Sequence, residues 1–481
     1  MSVKRRIYLG LFLVLFAWFS EAQVAENRIA RDFISKDVLK GSGIGLAVRD
    51  LSTGRIVMSE GSGRLLAPAS TLKIVTTAAA MELLGPDYRF RTVFGYSGTL
   101  DTIAESVTGN MVVKGGGDPT LGSMVAAWKG SPDAIARQVT EALKKSGIAT
   151  IAGDLVVDVS AYDPFQVPGS WAWEDIGNYY GAAPSALTFA DNMIRLYFNS
   201  PAKSGEPVTL VRAFPEISWL SWQNELKSSS VNRDLAYIYG SPWGEKRLVR
   251  GSIPIGRKSF EVKASMPDPP LYLGHFLAAR LAESGIRLKG SVRIVSEKQD
   301  FTPVLTLFSP PLVQIIEEIN HESVNLFAEH LVLQLALENS GKGNMQEGLK
   351  LIEAFWKKKG AEEPVFLEDG SGLSRYNAIS AQFLVKVLTH MHDSNNGVLF
   401  RSSLPSAGNG TLTGFSGTDF PGETLRCKSG SMERVRGYAG YLQCISGRQL
   451  AFAVLVNNFP ATSGDVMREI MELLKELRKN Y

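Results

Sequence analysis

The tightest constraint on this chain is that its clearest strand-like segments lie at its two ends. GIGLAVRDL (43–51) and GRIVMSE (54–60) surround the turn Ser52-Thr53-Gly54. TLRCKSG (424–430), VRGYAGYLQC (435–444) and LAFAVLVNNF (450–459) form a second group near the far end. Short runs of this kind, bounded by turn residues, read as strands, and a sheet must bury its apolar face against another layer. They predict one antiparallel sheet assembled from both ends. Helical layers are expected from Ser70 to a stop at Gly85, and over 310–339, 345–360 and 379–393. In the last segment (464–480), Val466, Met467, Ile470, Leu473, Leu474 and Leu477 recur at helical spacing. Its Lys and Arg residues would suit a membrane surface, but a stripe like this more often packs on a sheet.

Residues 89–299 differ in character. They hold short β runs, Gly, Pro and Trp, with one clear helix at 132–146. We read them as a β-rich insertion of two lobes, dividing an outer domain into 23–88 and 300–481. Ahead of these, Lys4, Arg5 and Arg6 precede the apolar run 7–19, and Ser20-Glu21-Ala22 offers a cleavage site. Residues 1–22 thus read as a signal peptide, too short in its apolar run for a membrane span. The expected location is outside the membrane, in the periplasm, with at most peripheral membrane association. Removing residues 1–22 lowers the formal charge from +3 to about +1, so charge gives no reason to expect a nucleic-acid partner.

Five scattered His and two Cys give no metal-ligand spacing, and His321-Glu322 lacks the second His of a zinc-protease motif. No metal and no cofactor are expected. Cys427 and Cys444 fall on neighbouring strands; they could form a disulfide in an exported protein or remain two buried thiols. Gly115-Gly116-Gly117-Asp118 lacks the Lys-Ser/Thr ending of a phosphate loop and reads as a turn.

Chemistry concentrates in three short motifs. Ser70 and Lys73 are one helical turn apart, where a lysine of lowered pKa can take the serine's proton. Lys428, a second cation, could supply part of that lowering. Ser323-Val324-Asn325 lies at a helix–helix junction, and Lys428-Ser429-Gly430 ends a strand. Each motif recurs as a decoy. Ser200–Lys203 sits in a loop, Ser230–Asn232 in a polar run, Ser394–Asn396 in a turn, and Lys145–Gly147 at a helix end. Only the first set places every motif in an element that can present it to a cleft.

That set resembles the penicillin-binding, active-site-serine D-alanyl-D-alanine peptidases, and more closely their low-molecular-mass class C carboxypeptidase/endopeptidases. The resemblance spans nearly the whole chain beyond the signal segment. Its longer stretches are GNMVVKGGGDPTL (109–121), GSWAWEDIGNYYGAAPSAL (169–187), HESVNLFAEHL (321–331), EDGSGLSRYN (368–377), LPSAGNGTL (404–412) and CKSGSMERVRGYAGYL (427–442). The long separation between Lys73 and Ser323 fits that group, which carries extra domains there. It implies a mixed α/β (α+β), β-lactamase-like fold with a five-stranded antiparallel sheet flanked by helices.

By resemblance, Ser70 is the acylated nucleophile and Lys73 its general base. Ser323 relays a proton to the leaving amine, and Asn325 holds the substrate amide. Lys428, Ser429 and Gly430 line the carboxylate side, and the N–H groups of Ser70 and Ser431 form an oxyanion hole. Leu373, Arg375 and Met432, with Asp158 as a fourth, are implied to hold the stem's diamino acid. Asp158 and Arg375 would then pair the zwitterionic end of meso-diaminopimelate. The alternative for Arg375 is a loop residue pairing a surface acid. Val324 and Ser429 depart from the commoner polar residue and Thr, which bears on specificity more than on activity.

The implied partners are peptidoglycan stem peptides, with β-lactams as covalent inhibitors. Two other readings compete. A serine β-lactamase of class A needs a Glu-bearing loop shortly after Ser-x-Asn, and none is evident. A non-catalytic cell-wall-binding protein would leave the intact set of Ser70, Lys73, Ser323 and Lys428 without a purpose. Carboxypeptidase and endopeptidase action both remain open, because they differ only in the leaving group.

Overall fold

The computed structural model describes residues 28–124, 130–164 and 166–481. The signal segment, residues 1–22, lies outside the described residues. Both chain ends build one five-stranded antiparallel sheet. Its order is Leu425–Met432, Val435–Gln443, Gln449–Asn457, Gly43–Asp50 and Ile56–Glu60. The central pair is in register from Gly43 opposite Asn457 to Asp50 opposite Leu450.

Side chains alternate between faces along a strand, and the two faces of this sheet have different jobs. Ala47, Ala439, Ala451 and Ala453 point to one side, where small residues let helices approach closely. Helix Ala381–Asp393 packs directly on that face, Lys73–Leu84 packs against this helix, and Asn325–Ser340 packs in turn on Lys73–Leu84. Leu46, Val48, Phe452, Val454 and Val456 face the other side. There they cover Val466, Ile470, Leu473, Leu474 and Leu477 of the terminal helix Ser463–Asn480. The apolar stripe of that helix is therefore spent on the sheet; Met467 is only partly buried. Thr462 caps the helix, its hydroxyl accepting from the Asp465 N–H at 3.2 Å.

Asn325–Ser340 is the central helix, buried on every side from Leu326 to Ala336. Such burial demands partners for its polar groups. Glu329 accepts from the N–H groups of Gly370 and Ser371. His330 lies between the Thr188 hydroxyl and the Gly117 carbonyl, each 2.8 Å away. Gln334 donates to the Tyr88 hydroxyl at 2.6 Å.

Between the two parts of the outer sheet, the chain builds two further cores. One holds Phe94, Val113, Val157, Leu273 and Leu277, over a five-stranded sheet in which Thr302–Phe308 pairs with Arg91–Tyr96. The other holds Ile194, Phe198, Ile238, Val249 and Val262. A second long helix, Pro269–Glu283, accompanies Pro132–Lys145 in this region, where one was expected. Two prolines open it, and a Pro pair usually reads as a break. At the first helical positions, however, no N–H is needed, and the Asp268 carboxylate caps the N–H of Leu271.

Among the described residues, no helix is long and apolar enough to cross a membrane. Leu474 is fully buried between the terminal helix and the sheet. Leu474→Ala is expected to lower the free energy of unfolding by about 2–5 kcal/mol in urea titration, the range for a leucine truncated in a close-packed core.

Candidate active site

A single 3₁₀ turn, Ala69–Leu72, feeds helix Lys73–Leu84. Ala69 has φ of 47°, a left-handed conformation that non-glycine residues avoid. The kink presents Ser70 half-exposed at the mouth of a cleft and leaves Lys73 fully buried behind it. Lys73 Nζ donates to Ser70 Oγ at 3.0 Å, Asn325 Oδ1 at 2.6 Å and the Ser371 carbonyl at 2.8 Å.

The second motif sits where helix Leu312–Glu322 stops. Ser323 takes φ of 61°, also left-handed, and the central helix restarts at Asn325. Strain of this kind is commonly stored where side-chain placement matters. The other end of the Asn325 amide donates to the Tyr180 carbonyl at 2.9 Å, so the inserted region helps to hold it. The third motif lies on the sheet's edge strand, Leu425–Met432. Lys428 Nζ donates to Ser323 Oγ at 3.0 Å and to the Ser429 carbonyl at 2.9 Å. Gly430 packs directly on the serine turn: a Cβ there would lie 2.6 Å from the Pro68 carbonyl oxygen and 2.9 Å from the Thr71 nitrogen. Ser429 is mostly buried, whereas Ser431 and Met432 edge the cleft.

Burial lowers the pKa of Lys73 from 10.5 to about 7, although Glu329 and Asp369 work against the shift. Burial is the largest cause. Lys428 also lies well below its ordinary pKa, through burial first and repulsion from Lys73 second, a repulsion that the two amines share. Glu329 is pushed well above the usual carboxylate range by burial and then by Asp369. Its two backbone hydrogen bonds fix the loop that brings the Ser371 carbonyl to Lys73. Glu329 is absent from the motif-based reading, although a lone acid inside LFAEHLVLQLA is a visible oddity.

Leu373, Arg375 and Met432 line the same cleft as Ser70, Ser323 and Asn325; its volume is about 1060 Å³. Asp158 is not brought there. It is fully buried in strand Leu155–Asp158, and its carboxylate accepts from the N–H groups of Ser160 and Gln299. The acids facing Arg375 come instead from the short helix Trp173–Ile176. Arg375 Nη2 is 2.9 Å from Glu174 Oε1, and Asp175 also lines the cleft. Burial raises the pKa of Asp175, and the Arg375 charge opposes that rise. Asp369 shapes the loop carrying Leu373 and Arg375: it accepts from Trp171 Nε1 at 2.9 Å and from the N–H groups of Gly372 and Ser374. Cys427 and Cys444 are free, buried thiols in this structure.

A serine hydroxyl against a buried, near-neutral amine, with Ser-x-Asn and Lys-Ser-Gly closing the cleft, is the constellation of an active-site-serine acyl-transfer hydrolase. Comparison with known proteins narrows that class. The chain belongs to the D-Ala-D-Ala carboxypeptidase 3 (S13) family, whose sequence model matches residues 27–481. It is 30% identical over 463 residues to a D-alanyl-D-alanine carboxypeptidase of Actinomadura sp. (strain R39), covering 91% of this chain and 82% of that one. It is 23% identical over 445 residues to the D-alanyl-D-alanine carboxypeptidase DacB of Haemophilus influenzae, covering 90% and 88%. The fold superposes on the crystal structure of penicillin binding protein 4 from Haemophilus influenzae with a TM-score of 0.81 and 23% identity, covering 93% of this chain and 99% of that one. The protein is a serine D,D-peptidase, and the β-lactamase and non-catalytic readings are disfavoured.

Gly430→Ala places a methyl group against backbone atoms of the serine turn. It is expected to reduce the rate of D-alanine release at least about a hundredfold, as misplacement of a reacting group by about 1 Å does. A steady-state assay of the purified variant checks this.

Proposed function

We propose that the chain cleaves peptidoglycan stem peptides after D-alanine, through an acyl-enzyme on Ser70. One observation carries this reading: Ser70 Oγ is 3.0 Å from a buried lysine amine whose pKa is about 7. As the Ser70 oxygen attacks the D-alanyl carbonyl, its proton passes to the neutral Lys73 amine. The developing oxyanion is met by the N–H groups of Ser70 and Ser431. Collapse breaks the peptide bond; Ser323, hydrogen-bonded to Lys428 Nζ, passes a proton to the departing nitrogen and is refilled by the proton that Lys73 took, which leaves Lys73 neutral again. Water then attacks the ester, Lys73 again taking the proton, and Ser70 is regenerated.

The edge strand with Lys428 and Ser429 faces the terminal carboxylate, and an incoming carboxylate favours the charged form of Lys428. Asn325 holds the substrate amide. Leu373, Arg375 and Met432, now with Glu174 and Asp175 in the place expected for Asp158, form the side-chain subsite for a diamino acid. An amine and a carboxylate on one side chain match that mixed charge. The leaving group is D-alanine or the amine of a cross-link; a cleft of about 1060 Å³ has room for either. β-Lactams, which present a strained amide beside a carboxylate, acylate the same serine. The segment 4–22 supports export to the periplasm.

A fluorescent penicillin is expected to label the wild type and not Ser70→Ala. Lys73→Ala should fold, yet acylate about 10²–10⁴-fold more slowly, the usual contribution of a general base. The wild-type acylation rate should rise about tenfold per pH unit below pH 7 and level off above about pH 8, because only the neutral amine accepts a proton. Equal labelling of Ser70→Ala, or a rate flat from pH 5 to about pH 8, contradicts the assignment.

A further inference from the structure

A second groove of about 1060 Å³ opens beside the catalytic cleft, on the small sheet of the inserted region. Its central strand, Lys246–Pro254, lies between Ser221–Asn224 and Leu235–Tyr239. Gln223, Leu248 and Tyr239 pair directly across these strands and so share one face. On the same face, Arg250 pairs with Tyr237. Arg250 and Tyr239 line the groove, while Tyr237 lines the catalytic cleft. The short helix Trp173–Ile176 makes the same connection, with Trp173 in the groove and Glu174 and Asp175 in the cleft. The two depressions thus adjoin.

The groove is strongly aromatic. Trp173 is 60% exposed and Trp243 48%, although burial of such rings is favourable. The Trp173 ring lies 6.4 Å from that of Tyr239, tilted by 35°. The groove also carries an unusual cation. Arg247 is only 1% exposed, whereas Arg250 on the groove face pairs with Glu225 at 3.0 Å. Arg247 Nη1 donates to the Ser241 and Gly244 carbonyls, which fixes the loop bearing Trp243. Its Nε and Nη2 have no hydrogen-bond partner among the described residues. Arg247 pairs with Trp222 on the face opposite Gln223 and Tyr239, so it braces the Trp243 loop from beneath the groove.

We propose that this groove binds the glycan backbone of peptidoglycan, a chain of N-acetylated amino sugars, and so presents the attached stem to Ser70. A pyranose ring shows one apolar C–H face, which suits the faces of Trp173, Tyr239 and Trp243. Its hydroxyl, amide and carboxylate oxygens suit Gln223 and Arg250, which Glu225 holds in place on the groove face. The inference rests on the peptidoglycan reading above, because that polymer carries its peptides on a glycan and the groove adjoins the cleft that would take the peptide.

The binding test uses the full chain as Ser70→Ala and, as probe, soluble glycan chains freed of every stem by an amidase. That protein should bind the probe. Trp243→Ala and Gln223→Ala, added singly, should each weaken binding at least about tenfold with thermal unfolding unchanged, as loss of an anchoring contact does. In the active enzyme these substitutions should leave turnover of a free stem pentapeptide within about twofold and raise KM on polymeric peptidoglycan about tenfold at constant kcat. Failure of Ser70→Ala to bind the stem-free chains overturns the proposal. So does binding that both substitutions leave untouched, or competition for the groove by free stem peptides instead of glycan. If glycan binds as expected while the active protein releases no D-alanine, the proposed function fails and the groove assignment stands.

Discussion

The Lys73 amine has no exposure to solvent, and its three hydrogen-bond partners come from three separate segments of the chain. Ser70 lies on its own turn, Asn325 at the head of the central helix, and Ser371 on a loop pinned by Glu329 of that same helix. A buried ammonium is costly, and three acceptors offset only part of that cost. The result is an amine near neutrality, able to exchange a proton with a hydroxyl 3.0 Å away. Nearly every feature around it serves this placement. The alanine-lined sheet face lets helix Ala381–Asp393 sit close and back Lys73–Leu84, Gly430 lets the edge strand press on the serine turn, and left-handed Ala69 and Ser323 aim the two hydroxyls.

The two lysines divide the electrostatic work. Lys73 is depressed by burial, and its neighbour Lys428 by burial and by Lys73. A substrate carboxylate entering beside Lys428 would restore positive charge there, and that in turn favours the neutral form of Lys73. In the proposed mechanism, binding and activation of the base are thereby coupled through one pair of amines.

Much of this was legible in the sequence because the information is local. Ser70 and Lys73 are one turn apart, Ser323 sits where two apolar helices meet, and Lys428 and Gly430 end a strand; decoys failed on the same local test. The sheet joining both chain ends followed from period and turn residues. The unreadable parts are long-range. Arg375 meets Glu174 and Asp175 only because the Asp369 loop folds onto the short helix Trp173–Ile176, and nothing near Asp158 announces that its carboxylate is consumed by Ser160 and Gln299. Glu329 acts through a loop some forty residues away. That burial outweighs charge in the Lys73 shift was also not readable, since burial depends on the whole packed core.

The account stands on the protonation state of one side chain. Carbon-13 NMR of the Lys73 Cε, assigned by comparison with Lys73→Arg, follows that state directly through a pH titration. The account predicts an inflection near pH 7. An inflection at the ordinary lysine value of 10.5 would contradict it.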